Sequence, residues 1–146
     1  MYEALLAAHI LCAVMWVGGG VTLHILGRRA LKAGPGAAVN FAEDFGWFGS
    51  RVYGTLAVLL LLFGILLVGE AGYEHSRLWV SLAYVVWLVS FVLGTAVYPA
   101  LVKKVREVGP GTEEGLERVR RLVTLNTIEI TLLVLVVVDM AVKPGD

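Results

Sequence analysis

The sequence predicts an all-α membrane protein, a bundle of four transmembrane helices, and three observations carry that prediction. The chain is 58% hydrophobic over 146 residues, with a mean hydropathy of +0.81, too apolar for a soluble single domain. The apolar residues gather into four runs, 4–26, 52–68, 78–101 and 122–142. Each is close to the roughly 20 residues a helix needs to cross a hydrocarbon layer about 30 Å thick. Alternation with period two is absent, which argues against a β-barrel, and runs this long leave no polar faces from which to build a soluble surface.

The first run follows Met1-Tyr2-Glu3, which has no basic stretch, and no small-residue cleavage site comes after it. It therefore reads as a retained helix, not a removed signal peptide. In the first connection Asn40-Phe41-Ala42-Glu43 matches a capping box. It would open a short helix carrying Phe41, Phe45, Trp47 and Phe48, suited to lie at the inner membrane interface. The second run ends at an outer connection with Glu70, Glu74 and His75. The third carries Trp79, Ala83, Trp87, Ser90, Gly94 and Tyr98 on one stripe, a pattern of packing and interfacial anchoring. Gly109-Pro110-Gly111 then breaks the chain. Thr112 can cap a new helix, with Glu113 and Glu114 at its positive end and Glu114–Arg118 and Glu117–Arg121 as i,i+4 pairs. The last helix should start near Glu113 and project about two to three turns beyond the membrane.

Charge placement sets the direction. Arg28, Arg29, Lys32 and Arg51 flank the first connection, and Lys103, Lys104, Arg106, Arg118, Arg120 and Arg121 flank the third. Only Arg77 and Lys143 remain for the other side. Ten basic residues against two place both connections in the cytoplasm and both termini outside. Formal net charge is zero, and no basic run is interleaved with base-stacking aromatics, so nucleic acid is not an expected partner. The expected surroundings are a lipid bilayer, with a homodimer or a membrane redox protein as further partners. The single cysteine, Cys12, excludes an internal disulfide.

Polar groups inside apolar spans are expensive, so each needs an account. His9 and His24 stand fifteen residues apart in the first span, roughly 22 Å along the axis and about 60° apart around it. Trp16 is nearly in line with His9, and Gly18, Gly19 and Gly20 follow. Three glycines in a helix interior cost stability, so they serve a close approach, either of another helix or of a planar cofactor. In the fourth span Thr124, Asn126, Thr127, Glu129 and Thr131 crowd the inner half. Glu129 lies about 10 Å inside the span, where a carboxylate must be paired, hydrated or protonated. Glu129 and Asn126 are therefore the candidate catalytic or proton-handling residues, a polar clasp between helices being the alternative. Asp139 and Lys143 are spaced as an interfacial pair. Met140 can supply a thioether ligand or fill a gap.

His9-x6-Trp16-x-Gly18-Gly19 in the first span, and Asn126 seventeen residues before Lys143-Pro144, resemble the spacings of HemJ-type protoporphyrinogen oxidases. The wider group includes CopD-like copper-resistance proteins and uncharacterised four-helix bacterial membrane proteins. The resemblance covers nearly the whole chain and implies a bacterial inner-membrane protein with haem b on His9. Trp16, Gly19, Gly20 and Lys143 would then contribute to the cofactor site, with His24, His75 and Met140 as further metal-ligand candidates. In the family a third-helix lysine belongs to that site, and this chain has none there; Thr127 stands where the family has glutamate, and Glu129 where proline is usual. The leading expectation is thus a haem-binding, redox-related membrane protein, whether or not it has oxidase activity. The alternatives are a copper permease using His9, Cys12, Met15 and Met140, and a noncatalytic accessory subunit.

The orientation is open to direct test. A cysteine placed after Pro144 should be modified by an impermeant maleimide on intact cells, whereas Gly111→Cys should be protected until the cells are opened; the reverse pattern would invert the topology.

Overall fold

A computed structural model describes residues 1–109 and 111–144. Pro110, expected at the centre of the third break, lies outside the described residues. Four helices follow one another up and down: α1 (Tyr2–Ala33), α2 (Pro35–Glu70), α3 (Leu78–Val108) and α4 (Glu113–Val142). All four are long and apolar enough to cross a bilayer, and no strand occurs among the described residues. At 30 to 36 residues each is about 45–54 Å long, well beyond the roughly 30 Å of a hydrocarbon layer.

The excess length lies at one end. The C-termini of α1 and α3 and the N-termini of α2 and α4 carry most of the basic residues and share the largest core. That core holds Leu23, Phe41, Phe45, Tyr98, Leu101, Val102, Val105, Val119, Leu122 and Val123. Further along, the bundle turns apolar side chains outward, among them Leu11, Val14, Val58, Leu62, Leu82, Val85, Leu135 and Val138. A continuous apolar belt of this kind suits lipid, not water.

The second helix differs from its sequence expectation. It begins at Pro35, in place of the expected capping box at Asn40, because Gly34 turns the chain at φ 115° and Pro35 takes the first helical position. The segment expected to be a separate short helix runs on into the second span through a π-helical stretch at Gly49–Tyr53. Ala38, Phe41, Ala42 and Phe45 form its buried ridge, and that ridge holds the segment in the bundle. Trp47 and Phe48 stay exposed, with Arg51 over the Trp47 ring. The start of α4 is as expected: Thr112 Oγ1 accepts the Gly115 N–H at 3.1 Å, and Glu114 pairs with Arg118.

Helix α1 packs against α2 and α4, and α3 packs against α4. Its glycines set how close these neighbours come. At Gly19 a Cβ would stand 2.3 Å from Tyr53 Oη, and at Gly20 3.0 Å from Ile130. At Gly27 it would meet Val123 at 2.6 Å and Phe41 at 2.8 Å, whereas nothing lies within 4 Å at Gly18. Small residues at helix contacts are the usual device for tight packing in membranes. The apolar halves of α2 and α3 are the least closely packed neighbours.

These glycines separate into two classes by their space. Gly27→Ala should destabilise the bundle by about 1–3 kcal/mol through overpacking, lowering the midpoint of thermal unfolding in detergent. Gly18→Ala should leave it unchanged or raise it, by up to about 1 kcal/mol.

Candidate functional site

Two polar positions sit at different depths in the bundle, with an apolar plug between them. Towards the chain termini, His9 on α1 lies against α2. Its Nδ1 is 3.2 Å from the Leu60 carbonyl oxygen, and a Cβ at Gly64 would come within 3.3 Å of its ring. A carbonyl can only accept, so this contact assigns the proton to Nδ1 and leaves the Nε2 lone pair free. Nε2 has no hydrogen-bond partner among the described residues. His9 borders a groove of about 620 Å³ between α1, α2 and α4, shared with Gly18, Val68, Trp79, Met140 and Lys143. On its inner side it borders a chamber of about 80 Å³, shared with Trp16, Trp87 and Met140.

Lys143 closes α4 in the left-handed conformation, φ 48°. Its Nζ donates to Tyr73 Oη at 2.8 Å and lies 4.6 and 5.5 Å from the Tyr73 and Trp79 ring centres. The expected pair with Asp139 gives way to this aromatic contact, and Asp139 Oδ2 is buried without a hydrogen-bond partner among the described residues. A cation over aromatic faces is attracted by the ring quadrupole, more strongly where water is scarce.

The plug consists of Trp16, Ala57 and Leu133, buried and packed against Leu60, Val86, Trp87 and Phe91. Trp87 Nε1 donates to the Ala57 carbonyl at 2.9 Å, fastening α3 to α2 at this depth.

Beyond the plug, towards the basic end, lies a cavity of about 300 Å³ to which all four helices contribute. Glu129 of α4 faces it, only 7% exposed. Its Oε2 accepts the Tyr98 hydroxyl of α3 at 2.6 Å, and Ser90 and Trp16 face the same carboxylate. Ser90 is 2% exposed, and its Oγ has no hydrogen-bond partner by geometry. Asn126 Nδ2 donates to the Gly20 carbonyl of α1 at 3.1 Å. Two π-helical segments, Gly49–Tyr53 in α2 and Leu93–Val97 in α3, touch each other beside this cavity. Such bulges concentrate at functional positions because they displace one turn of backbone from its regular ladder.

The sequence candidates therefore divide. His9, Met140 and Lys143 come together at the outer groove, while Asn126 and Glu129 meet at the inner cavity, and Trp16 lines the chamber and the inner cavity alike. A Cβ at Gly19 would meet Tyr53 and one at Gly20 would meet Ile130, so both serve helix contact; Gly20 also lines the cavity of Glu129, and neither borders the groove beside His9. His24 accepts no metal-like company: its Nδ1 lies 2.8 Å from Thr127 Oγ1, which itself donates to the Val123 carbonyl. His75 bonds and stacks with Tyr84. Met15 is 57% exposed on another face of α1. No three His, Cys, Asp or Glu side chains gather as a metal site among the described residues. Sequence reading missed Leu60 and Gly64 as the seat of His9, and Tyr53, Tyr98 and Ser90 around the carboxylate. The clues available were a lone glycine in an apolar run and polar residues recurring along the third span.

Comparison with protein-family models, with curated proteins and with solved structures gave no match; the functional reading rests on the residues and their geometry.

The Tyr98–Glu129 bond should be energetically coupled. Tyr98→Phe is expected to cost about 1–3 kcal/mol, the range for a buried hydrogen bond to a charged or strongly polar group. A double-mutant cycle with Glu129→Gln should show non-additivity; additive losses in unfolding experiments would mean that the two side chains act independently.

Proposed function

We propose that the chain is a haem-binding, redox-related protein of the bacterial inner membrane, similar in kind to HemJ-type proteins, in which His9 would hold the haem iron. The observation that carries this reading is the free Nε2 of His9 on the wall of an apolar groove, with Nδ1 held by the Leu60 carbonyl. Metal-ligating histidines characteristically donate their other N–H to a carbonyl or carboxylate, which orients the ring and raises ligand basicity. The groove volume, about 620 Å³, falls within the range of cofactor and small-molecule sites. Met140 lines the same groove and chamber as His9, and its thioether would be a further residue to hold the group. Lys143 at the rim supplies a cation suited to a carboxylate-bearing edge.

A bound haem would supply one-electron redox chemistry, tuned by axial ligand and burial. The chain's own residues do the rest. Leu60 and Gly64 hold the imidazole plane, Val68 and Val137 exclude water, and Lys143 is held against Tyr73 and Trp79. Gly19, Gly20, His24 and His75 have no part in this arrangement.

The same reading places the termini outside and the basic end in the cytoplasm, supported by ten of the twelve basic residues. Exposed Trp47 and Phe48 beside Arg51 suit the inner interface, where aromatics and cations anchor a helix. The copper-permease alternative has less support, because Met15 and Cys12 do not share the cavities that His9 and Met140 border.

Protein expressed with ample haem should purify with a Soret band. His9→Ala should abolish or shift it, while His24→Ala and His75→Ala keep it, and Met140→Ala should change the reduced spectrum alone or together with the potential. A band that survives His9→Ala and disappears in His24→Ala would move the ligand to the basic end.

A further inference from the structure

The inner cavity has its own chemistry, independent of any haem at His9. Among its lining residues Glu129 is the single carboxyl, and there is no lysine, arginine or histidine. The other titratable groups facing it are the hydroxyls of Tyr53 on α2 and Tyr98 on α3; α1 contributes Trp16, Gly20 and Leu23, none of which titrates. A carboxylate in that setting has hydrogen bonds but no counter-charge, and burial without a partner is costly. Either a proton or a cation must accompany it.

The walls favour an organic cation. Trp16, Tyr53, Phe91 and Tyr98 line the space around the carboxylate, and aromatic faces attract ammonium groups. Ser90 Oγ, deeply buried, lines the same space beside the Glu129 carboxylate, and its oxygen lone pairs can accept from a donor placed there. A cavity of about 300 Å³ is at the small end of ligand sites. A hard metal ion would require several oxygen ligands at once, and the cavity offers one carboxylate. An anion would meet that carboxylate with no cationic side chain among the lining residues to offset it. On the side of α2 and α3 the lining includes the exposed Ser50, Thr95 and Pro99, in or next to the two π segments.

We propose that this cavity binds a small organic cation, a protonated amine on an apolar body, against Glu129, in exchange for the proton of its carboxyl. The exchange is balanced: the carboxyl loses one proton to solvent, the ammonium enters with its own charge, and the net charge of the cavity stays zero. Trp16 and Tyr98 hold the apolar body, Ser90 and Glu129 accept the ammonium N–H groups, and the Trp16–Leu133 plug separates this site from the His9 groove.

The test uses the full chain in lipid nanodiscs, titrated calorimetrically with benzylammonium and with benzyl alcohol, its neutral counterpart. Measurements in buffers of different ionisation enthalpy count the protons released. Benzylammonium should bind once per chain and release about one proton. Its affinity should fall about tenfold for each unit of falling pH over the range in which the free carboxyl is protonated. Glu129→Gln should reduce its affinity at least tenfold without altering the visible spectrum, and Ser90→Ala should weaken it several-fold. Benzyl alcohol should bind no better to the wild type than to Glu129→Gln. Absence of saturable benzylammonium binding, binding without proton release, or equal affinity in Glu129→Gln would each overturn the proposal. Because the proton count is made on the wild type, the outcome stands even if a variant fails to fold; loss of the Soret band alone would bear on His9 and not on this cavity.

Discussion

Everything in this bundle depends on how closely other helices approach α1. In hydrocarbon there is no hydrophobic gain from pressing one apolar helix on another, so association relies on close packing and a few polar bonds. Helix α1 provides both. Tyr53 of α2 sits over Gly19, Ile130 of α4 over Gly20, and Val123 and Phe41 close on Gly27. Asn126 then reaches the Gly20 carbonyl, and His24 meets Thr127 a turn further on. On the other side of the bundle the relation is inverted, with Gly64 of α2 making room for His9. The glycines cost helix propensity, and what they return is the register that places every polar group described here.

That register divides the interior into two compartments of different chemistry. The one nearer the termini is an apolar groove with a histidine nitrogen on its wall and a lysine at its rim. The one nearer the basic end is a smaller cavity with a carboxyl, two phenols and a serine. Trp16, Ala57 and Leu133 stand between them, and the Trp87–Ala57 bond holds that barrier at one depth. A barrier of packed side chains keeps the Glu129 carboxyl apart from the His9 imidazole, which lets the two sites be read independently. The basic end anchors the whole arrangement, because the largest core among the described residues lies there.

Much of this was legible in the sequence because hydropathy and charge are one-dimensional signals. Four apolar runs gave four helices, Thr112 capped the last of them, and Glu129 and His9 stood out because the membrane penalises them. What could not be read was pairing across the bundle. Gly34–Pro35 starts α2 earlier than the Asn40 box suggested, and the buried ridge Ala38–Phe45 is visible only once α3 and α4 lie against it. The glycine run was ambiguous between helix and cofactor; Tyr53 and Ile130 resolve Gly19 and Gly20 towards helix contact. Asp139 and Lys143 looked like an ion pair because they are i,i+4, but Tyr73, seventy residues away in sequence, takes the lysine. Backbone π segments leave no residue signature beyond scattered glycines, so the cavity beside Glu129 was hidden until the helices were placed.

The measurement that bears most directly on the account is iron-edge anomalous diffraction from crystals of the haem-supplemented protein grown in a lipid mesophase. The account predicts one anomalous peak per chain in the groove between α1, α2 and α4, bonded to His9 Nε2, with Nδ1 still on the Leu60 carbonyl and the Glu129 cavity free of iron. A groove filled by lipid with no anomalous signal, or a peak beside His24 or Glu129, would contradict it.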